Sequence, residues 1–266
     1  MSATILKGMR TSMMTGLGRH ADAVEQLPGD LASIVTTVQG LLLHEGWAAH
    51  YGVPPGDPAS VHLRRTEELL DAAGDRPLGQ ARRPADRVVT MCRSFTVVTV
   101  AMLRAHGVEA RARSGFAAYF EPGFWADHWV VELRDGDRWR TADPQIDALQ
   151  RADLKLDFDP LDVPPGRFLA GPDAWRRIRT EGADPHSFGF SPSKLSGEWF
   201  VAGAVVRDLA AVDGVETLPW DVWDPMPGPD DPVDVARFDR IAAGEEPLTV
   251  PDEVLNIRRG AVEPLS

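Results

Sequence analysis

The sequence predicts an α+β chain on three observations. Apolar residues recur at helical spacing through the first third, a long apolar run stops at His106-Gly107, and strand-like segments joined by an Asp-Gly turn come after it. Residues 1 to about 24 carry no such pattern and read as an arm. From Asp30, a natural N-cap, Leu31, Ile34, Val35, Val38, Leu41 and Leu42 fall on one helical face. The turn signal Val53-Pro54-Pro55-Gly56 closes that region. A second helix is expected over residues 60–73, with Leu63, Leu69 and Leu70 inward.

The run 92–105 carries Phe95, Val98, Val100, Met102 and Leu103. Its Val and Thr content suits a strand by propensity, but propensity is weak and a helix buried on most sides fits equally. His106-Gly107 is a helix C-terminal signal. Strands are expected over 108–119, 127–133 and 138–143, the last two joined by the hairpin signal Arg134-Asp135-Gly136-Asp137. Turn residues punctuate the last third, where 197–212 reads as a helix packed through Trp199, Phe200, Val205 and Leu209, and 225–232 as the best linker candidate. With no internal repeat, the economical division is a single unit, 1–266. Within it 1–84 is mainly helical, 85–160 is the core and 161–266 is a C-terminal embellishment.

Composition narrows the function classes. There are 28 Lys and Arg against 40 Asp and Glu, a formal net charge of −12, which argues against a nucleic-acid partner because that affinity rests on basic side chains neutralising phosphates. A single cysteine cannot form an internal disulfide. The N-terminal segment has no continuous apolar stretch of the kind a secretory signal needs, and the greasiest run, LASIVTTVQGLLL, is too short and polar to span a bilayer. The expectation is a cytoplasmic protein with no membrane partner.

One thiol directs attention to nucleophilic chemistry. The thiolate is the reactive form, and a helix N-terminus or a neighbouring imidazole favours it. Cys92 sits where the helical pattern begins. His128 lies downstream on a strand-like segment, and Asp143 ends the next strand of the hairpin, where a carboxylate can hold the imidazole's second nitrogen. Pro144 biases Asp143 towards extended backbone. Taken singly, each has a plainer reading: a buried inert thiol, a satisfied core histidine, a turn-starting aspartate. Only the ordered set is informative.

Other residues near this set divide the same way. Arg93 adjoins the thiol and could bind a substrate carboxylate or form a structural ion pair. Trp125 and Trp129 flank His128, and Phe124 and Trp125 fall in a loop taken to span 120–126 just before it; all three are candidate substrate contacts, although aromatics beside strands are usually core. Tyr119 and Phe120 carry the same caution. His106 is adequately explained as part of a helix end. Scattered histidines around one cysteine have no zinc spacing, and no calcium-binding loop pattern occurs, so no metal or other cofactor is implied.

The run MCRSFTVVTVAMLRAHGVEARARSGF, followed by DHWVVEL and RWRTADPQID, resembles the core of the transglutaminase-like superfamily. The likeness in the core covers roughly 85–150. Longer phrases, VQGLLLHEGWAAHYG, FDPLDVPPGRFLAG and VVRDLAAVDGVETLPWDVW, are similar to a bacterial subgroup. The resemblance implies a cysteine-protease-like fold with a helix packed on an antiparallel sheet. It also implies a papain-like triad of Cys92 as nucleophile, His128 as base and Asp143 as orienting residue. The implied chemistry is acyl transfer or hydrolysis at an amide or thioester, on a small-molecule, peptide or carrier-bound acyl substrate. Members of the subgroup often carry Asn before the cysteine and Asp two positions after it, where this chain has Met91 and Ser94. Those departures give weight to an alternative, an inactive binding module that keeps the fold. Oligomeric state leaves no signature in the sequence.

Overall fold

A computed structural model describes residues 12–56 and 58–265. The helical first third holds α1 (Ala21–Glu25), α2 (Leu31–Leu41) and α3 (Thr66–Ala72), with short strands β1 (Leu42–His44) and β2 (Val88–Thr90). Next come α4 (Cys92–Ala105) and the strands β3 (Ala110–Glu121), β4 (Phe124–Asp135) and β5 (Arg138–Ala142), then α5 (Ala148–Asp153). The remainder runs β6 (Phe168–Ala170), α6 (Gly171–Thr180), β7 (Phe188–Phe190), β8 (Leu195–Ser196), α7 (Glu198–Val212), β9 (Asp221–Val222), α8 (Val235–Ala242), β10 (Glu253–Asn256) and β11 (Ala261–Pro264). The chain is α+β, as the sequence predicts.

Its contacts sort into two compact units where the sequence reading groups all residues into one. The first comprises the chain up to Ala112 with Val130–Asp162, and the second Arg113–Trp129 with the chain from Val163 onward.

In the first unit α4 packs against α1, α2 and α3. Its residues from Cys92 to Leu103 are all buried, which explains why a Val- and Thr-rich run is helical: packing on every side outweighs a weak strand propensity. Each fully buried Val, Leu or Phe side chain contributes about 1.5–3 kcal/mol of transfer free energy. The helix ends at His106, and Gly107 follows with φ 76°, the left-handed conformation glycine adopts without steric cost. Helix α2 begins as predicted, the Asp30 carboxylate accepting the Ser33 N–H at 3.0 Å. The second predicted helix is shorter than expected. Glu68 Oε2 accepts the backbone N–H groups of Arg64 and Arg65 at 3.0 and 2.9 Å, so α3 starts at Thr66, after a separate 3-10 turn at Ala59–His62. Within the expected N-terminal arm, Met14 and Val24 are buried core residues and the Thr66 hydroxyl donates to the Met14 carbonyl at 2.9 Å. The rest of that arm, residues 1–11, lies outside the described residues.

Strand β5 pairs antiparallel with β4 from Val131↔Ala142 to Asp135↔Arg138, closing the predicted Asp-Gly turn. β1 and β2 pair in parallel, Leu42 opposite Val88 and His44 opposite Thr90.

In the second unit β6 pairs antiparallel with β3, and β7 with β8. β4 pairs with β7 in parallel, Trp125 opposite Phe188, so the sheet is not purely antiparallel as expected. A parallel partner needs a long crossover, and the chain between β4 and β7 supplies one. Helices α6, α7 and α8 pack on one another. At the start of α6 a Cβ on Gly171 would meet the Ala204 carbonyl oxygen at 2.3 Å, so glycine is what allows that approach. The predicted helix over 197–212 is α7, but its buried residues are chiefly small or β-branched (Val201, Ala202, Ala204, Val205, Val206), with Trp199 and Phe200 half-buried.

Candidate active site

Cys92 is the first residue of α4. β2 delivers the chain to it, Met91 is extended (φ −140°, ψ 175°), and the helix then begins with no side-chain cap. The first turn is held instead by the Ser94 N–H donating to the Met91 carbonyl at 2.9 Å and the Thr90 hydroxyl donating to Ser94 Oγ at 2.7 Å. The thiol is therefore carried on a fixed turn at the positive end of the dipole of a 14-residue helix. Cys92 is 7% exposed.

Asp143 lies in the same unit, immediately after β5, and is 1% exposed. Its N–H donates to the Pro160 carbonyl at 2.7 Å, and its Oδ1 accepts the Gln145 N–H at 3.0 Å. A cavity of about 10 Å³, bordered by Phe95, Gln145, Tyr51 and Asp147, lies beside the loop that follows. That is room for about one water molecule.

His128 belongs to the second unit, within β4, and is 2% exposed. The Phe120 ring packs against it in a T-shaped arrangement at 4.7 Å, with the Tyr119 ring at 6.1 Å. Side chains alternate along a strand, so Phe124 shares the His128 face while Trp125, Asp127 and Trp129 share the other. Trp125 stacks on Phe188 at 5.7 Å and carries the Arg177 guanidinium 5.0 Å from its ring centre. Burial pushes the Asp127 carboxyl up from its ordinary range, against the opposing pull of Arg207 and His128.

The sequence pattern of the Transglutaminase-like superfamily matches residues 75–144. Cys92, His128 and Asp143 all fall inside that stretch. The chain carries a transglutaminase-like domain. Among curated proteins none matches it. A crystal structure of an inferred cysteine protease from Cytophaga hutchinsonii aligns at 13% identity and a TM-score of 0.36, covering 55% of this chain and 43% of that one. At that score the likeness adds nothing to the assignment.

Several residues of the transglutaminase-like domain stand differently from expectation. Trp129 is fully buried on the strand face opposite His128, which removes it from the substrate contacts proposed from sequence. Trp125 is on that same opposite face, engaged with Phe188 and Arg177. Arg93 is 0% exposed inside α4, so its guanidinium is not a surface ligand for a substrate carboxylate. The expected loop over 120–126 is a tight turn at Pro122-Gly123, because β3 extends to Glu121 and β4 begins at Phe124. Phe124 is half-buried and stays a candidate contact. Phe120 packs directly on His128; the Pro-Gly dipeptide two residues on was the available sign that it belongs to a hairpin strand. Among the described residues no group of three or more His, Cys, Asp or Glu is placed to hold a metal, and no helix is long and apolar enough to cross a membrane.

Proposed function

We propose that the transglutaminase-like domain is a thiol-dependent enzyme acting at an amide or thioester carbonyl, with Cys92 as nucleophile, His128 as base and Asp143 as the residue that orients it. The observation that carries this reading is the place of the chain's single thiol: first residue of a buried helix, inside the family-matched stretch. In the mechanism His128 takes the thiol proton and Cys92 Sγ attacks the carbonyl carbon. The resulting oxyanion is stabilised by backbone donors at the helix start, among them the Cys92 N–H, which has no acceptor within the helix. Collapse expels the leaving group, protonated by His128, and leaves an acyl thioester on Cys92. Water or an amine then attacks that thioester, releasing the acid or a new amide and restoring the thiol. A small-molecule, peptide or carrier-bound acyl group suits this chemistry, Phe124 is the contact we retain for it, and a free thiol fits a reducing compartment such as the cytoplasm.

Iodoacetamide labelling of Cys92 across pH tests the reading. Fast labelling well below pH 7 that collapses in His128→Ala is expected. A profile that follows an ordinary thiol, near pKa 8.5, and ignores the substitution would sink it. Hydroxylamine capture from a thioester substrate then separates amine transfer from hydrolysis.

The burial of Cys92 favours a second reading, a binding module whose thiol is inert. The same labelling profile decides between the two.

A further inference from the structure

The loop from Asp143 to Asp147 is tied down from three separate places in the first unit. From α2, Gln39 Nε2 donates to the carbonyls of both Pro144 and Ile146, at 3.1 and 3.2 Å. From α5, Gln150 Oε1 accepts Gln145 Nε2 at 3.0 Å, while Gln150 Nε2 donates to the Tyr51 hydroxyl at 3.3 Å. The Tyr51 hydroxyl, from the 3-10 segment after β1, donates to Asp147 Oδ2 at 2.7 Å. Asp147 Oδ1 in turn caps α5, accepting the N–H groups of Leu149 and Gln150, both at 3.0 Å. Within this cage the Gln145 N–H donates to Asp143 Oδ1.

Two features separate this network from an ordinary loop fastening. Gln145 and Gln150 are 2% and 3% exposed, so their amides are withdrawn from bulk solvent. Apart from Asp147 the side chains that do the tying are neutral: three amides, and a phenol whose ionisation burial and the Asp147 hydrogen bond push far out of the working range. A cage of that kind fixes the direction of the Asp143 carboxylate, which is what an orienting carboxylate requires.

We propose that Gln39, Tyr51 and Gln150 are positioning residues for Asp143. They hold the 144–147 loop so that the Gln145 N–H keeps the carboxylate in one orientation. This rests on the triad reading above. Rotation of the carboxylate would cost the imidazolium its stabilising partner, and the Cys92 thiolate would lose its own.

The test is the pH profile of Cys92 alkylation in the full chain, for wild type, Asp143→Asn, His128→Ala, Tyr51→Phe and Gln150→Met. Each of the last two is also combined with Asp143→Asn. Tyr51→Phe and Gln150→Met should move the profile towards an ordinary thiol, with labelling at pH 6 falling about tenfold, the effect of one pKa unit. The same substitutions should have no further effect on the profile when Asp143 is already Asn, because a positioning residue acts only through the group it positions. Unmoved profiles in Tyr51→Phe and Gln150→Met, alongside a shift in Asp143→Asn, would overturn the proposal and leave the triad standing. So would a shift that persists undiminished in the Asp143→Asn background, the mark of a purely structural effect. No shift in either Asp143→Asn or His128→Ala removes the triad reading and the proposal with it. If Gln150→Met does not fold, Tyr51→Phe, which removes one oxygen atom, carries the test alone.

Discussion

Helices α4 and α7 are each the buried helix of their unit, yet they hold their buried polar side chains differently. Along α7 the polar pair is fastened. Asp208 is fully buried, accepting both Arg113 Nε and Nη2 at 2.9 and 2.8 Å and the Ser114 N–H at 2.9 Å, while Arg207 Nη2 donates to the Pro219 carbonyl at 2.9 Å. Along α4 the hydroxyls of Thr96 and Thr99 are buried with no hydrogen-bond partner among the described residues. Buried polar groups that find partners are structural fasteners, whereas ones that do not are a cost that packing does not explain. Part of that cost falls on the helix that begins with Cys92, whose two hydroxyls have no counterpart in α7, although Arg207 Nε there is likewise buried without a hydrogen-bond partner among the described residues.

Removing the fastener should give the largest effect. Asp208→Ala leaves the part-buried Arg113 guanidinium without its carboxylate and should cost about 3–5 kcal/mol in urea unfolding. Cys92 labelling of the protein that remains folded should be unchanged. A small loss would mean that α7 is no better fastened than α4, and the contrast would fail.

The reverse is expected in α4. Thr99→Val replaces an unpartnered hydroxyl by a methyl of the same shape and should raise stability by about 1–2 kcal/mol. A loss on urea titration would show that the hydroxyl is engaged after all.

The smallest effects should appear in pH dependence, with opposite signs in the two units. Hydrogen bonds from Ser33, side chain first and backbone second, hold the Asp30 carboxyl below its ordinary range. Its contribution is therefore complete above the unfolded value, about 3.9, and is lost as pH falls through the lower folded value. Burial raises Asp127 instead, so folding favours its protonated form; that contribution is present in acid and lost as pH rises through the raised value. Urea titrations between pH 3 and 7 should show the deficit of Asp30→Ala shrinking towards acid. The advantage of Asp127→Asn over wild type should grow towards neutrality. Parallel curves for either variant would contradict the stated environment of that carboxylate.

Much of the α+β order was legible because its signals are local. Asp30 capping α2, Gly107 ending α4 and Asp135-Gly136 turning β4 into β5 each act over a few residues, and the chain alone determines them. The candidate nucleophile, base and orienting carboxylate were also readable, as residue types in order on elements of the right kind. Helices α6 and α8 escaped notice among the turn residues of the last third, since short amphipathic segments give weak periodicity beside so many prolines and glycines. Tertiary structure alone decided that β7 runs parallel to β4, that Trp125 and Trp129 face away from His128, and that Gln39 reaches the carbonyls of Pro144 and Ile146. Caps, turns and periodicity are settled by neighbours along the chain. Which strand pairs with which, and which amide closes on a loop more than a hundred residues away, is settled only when burial has repaid the entropy of bringing distant segments together.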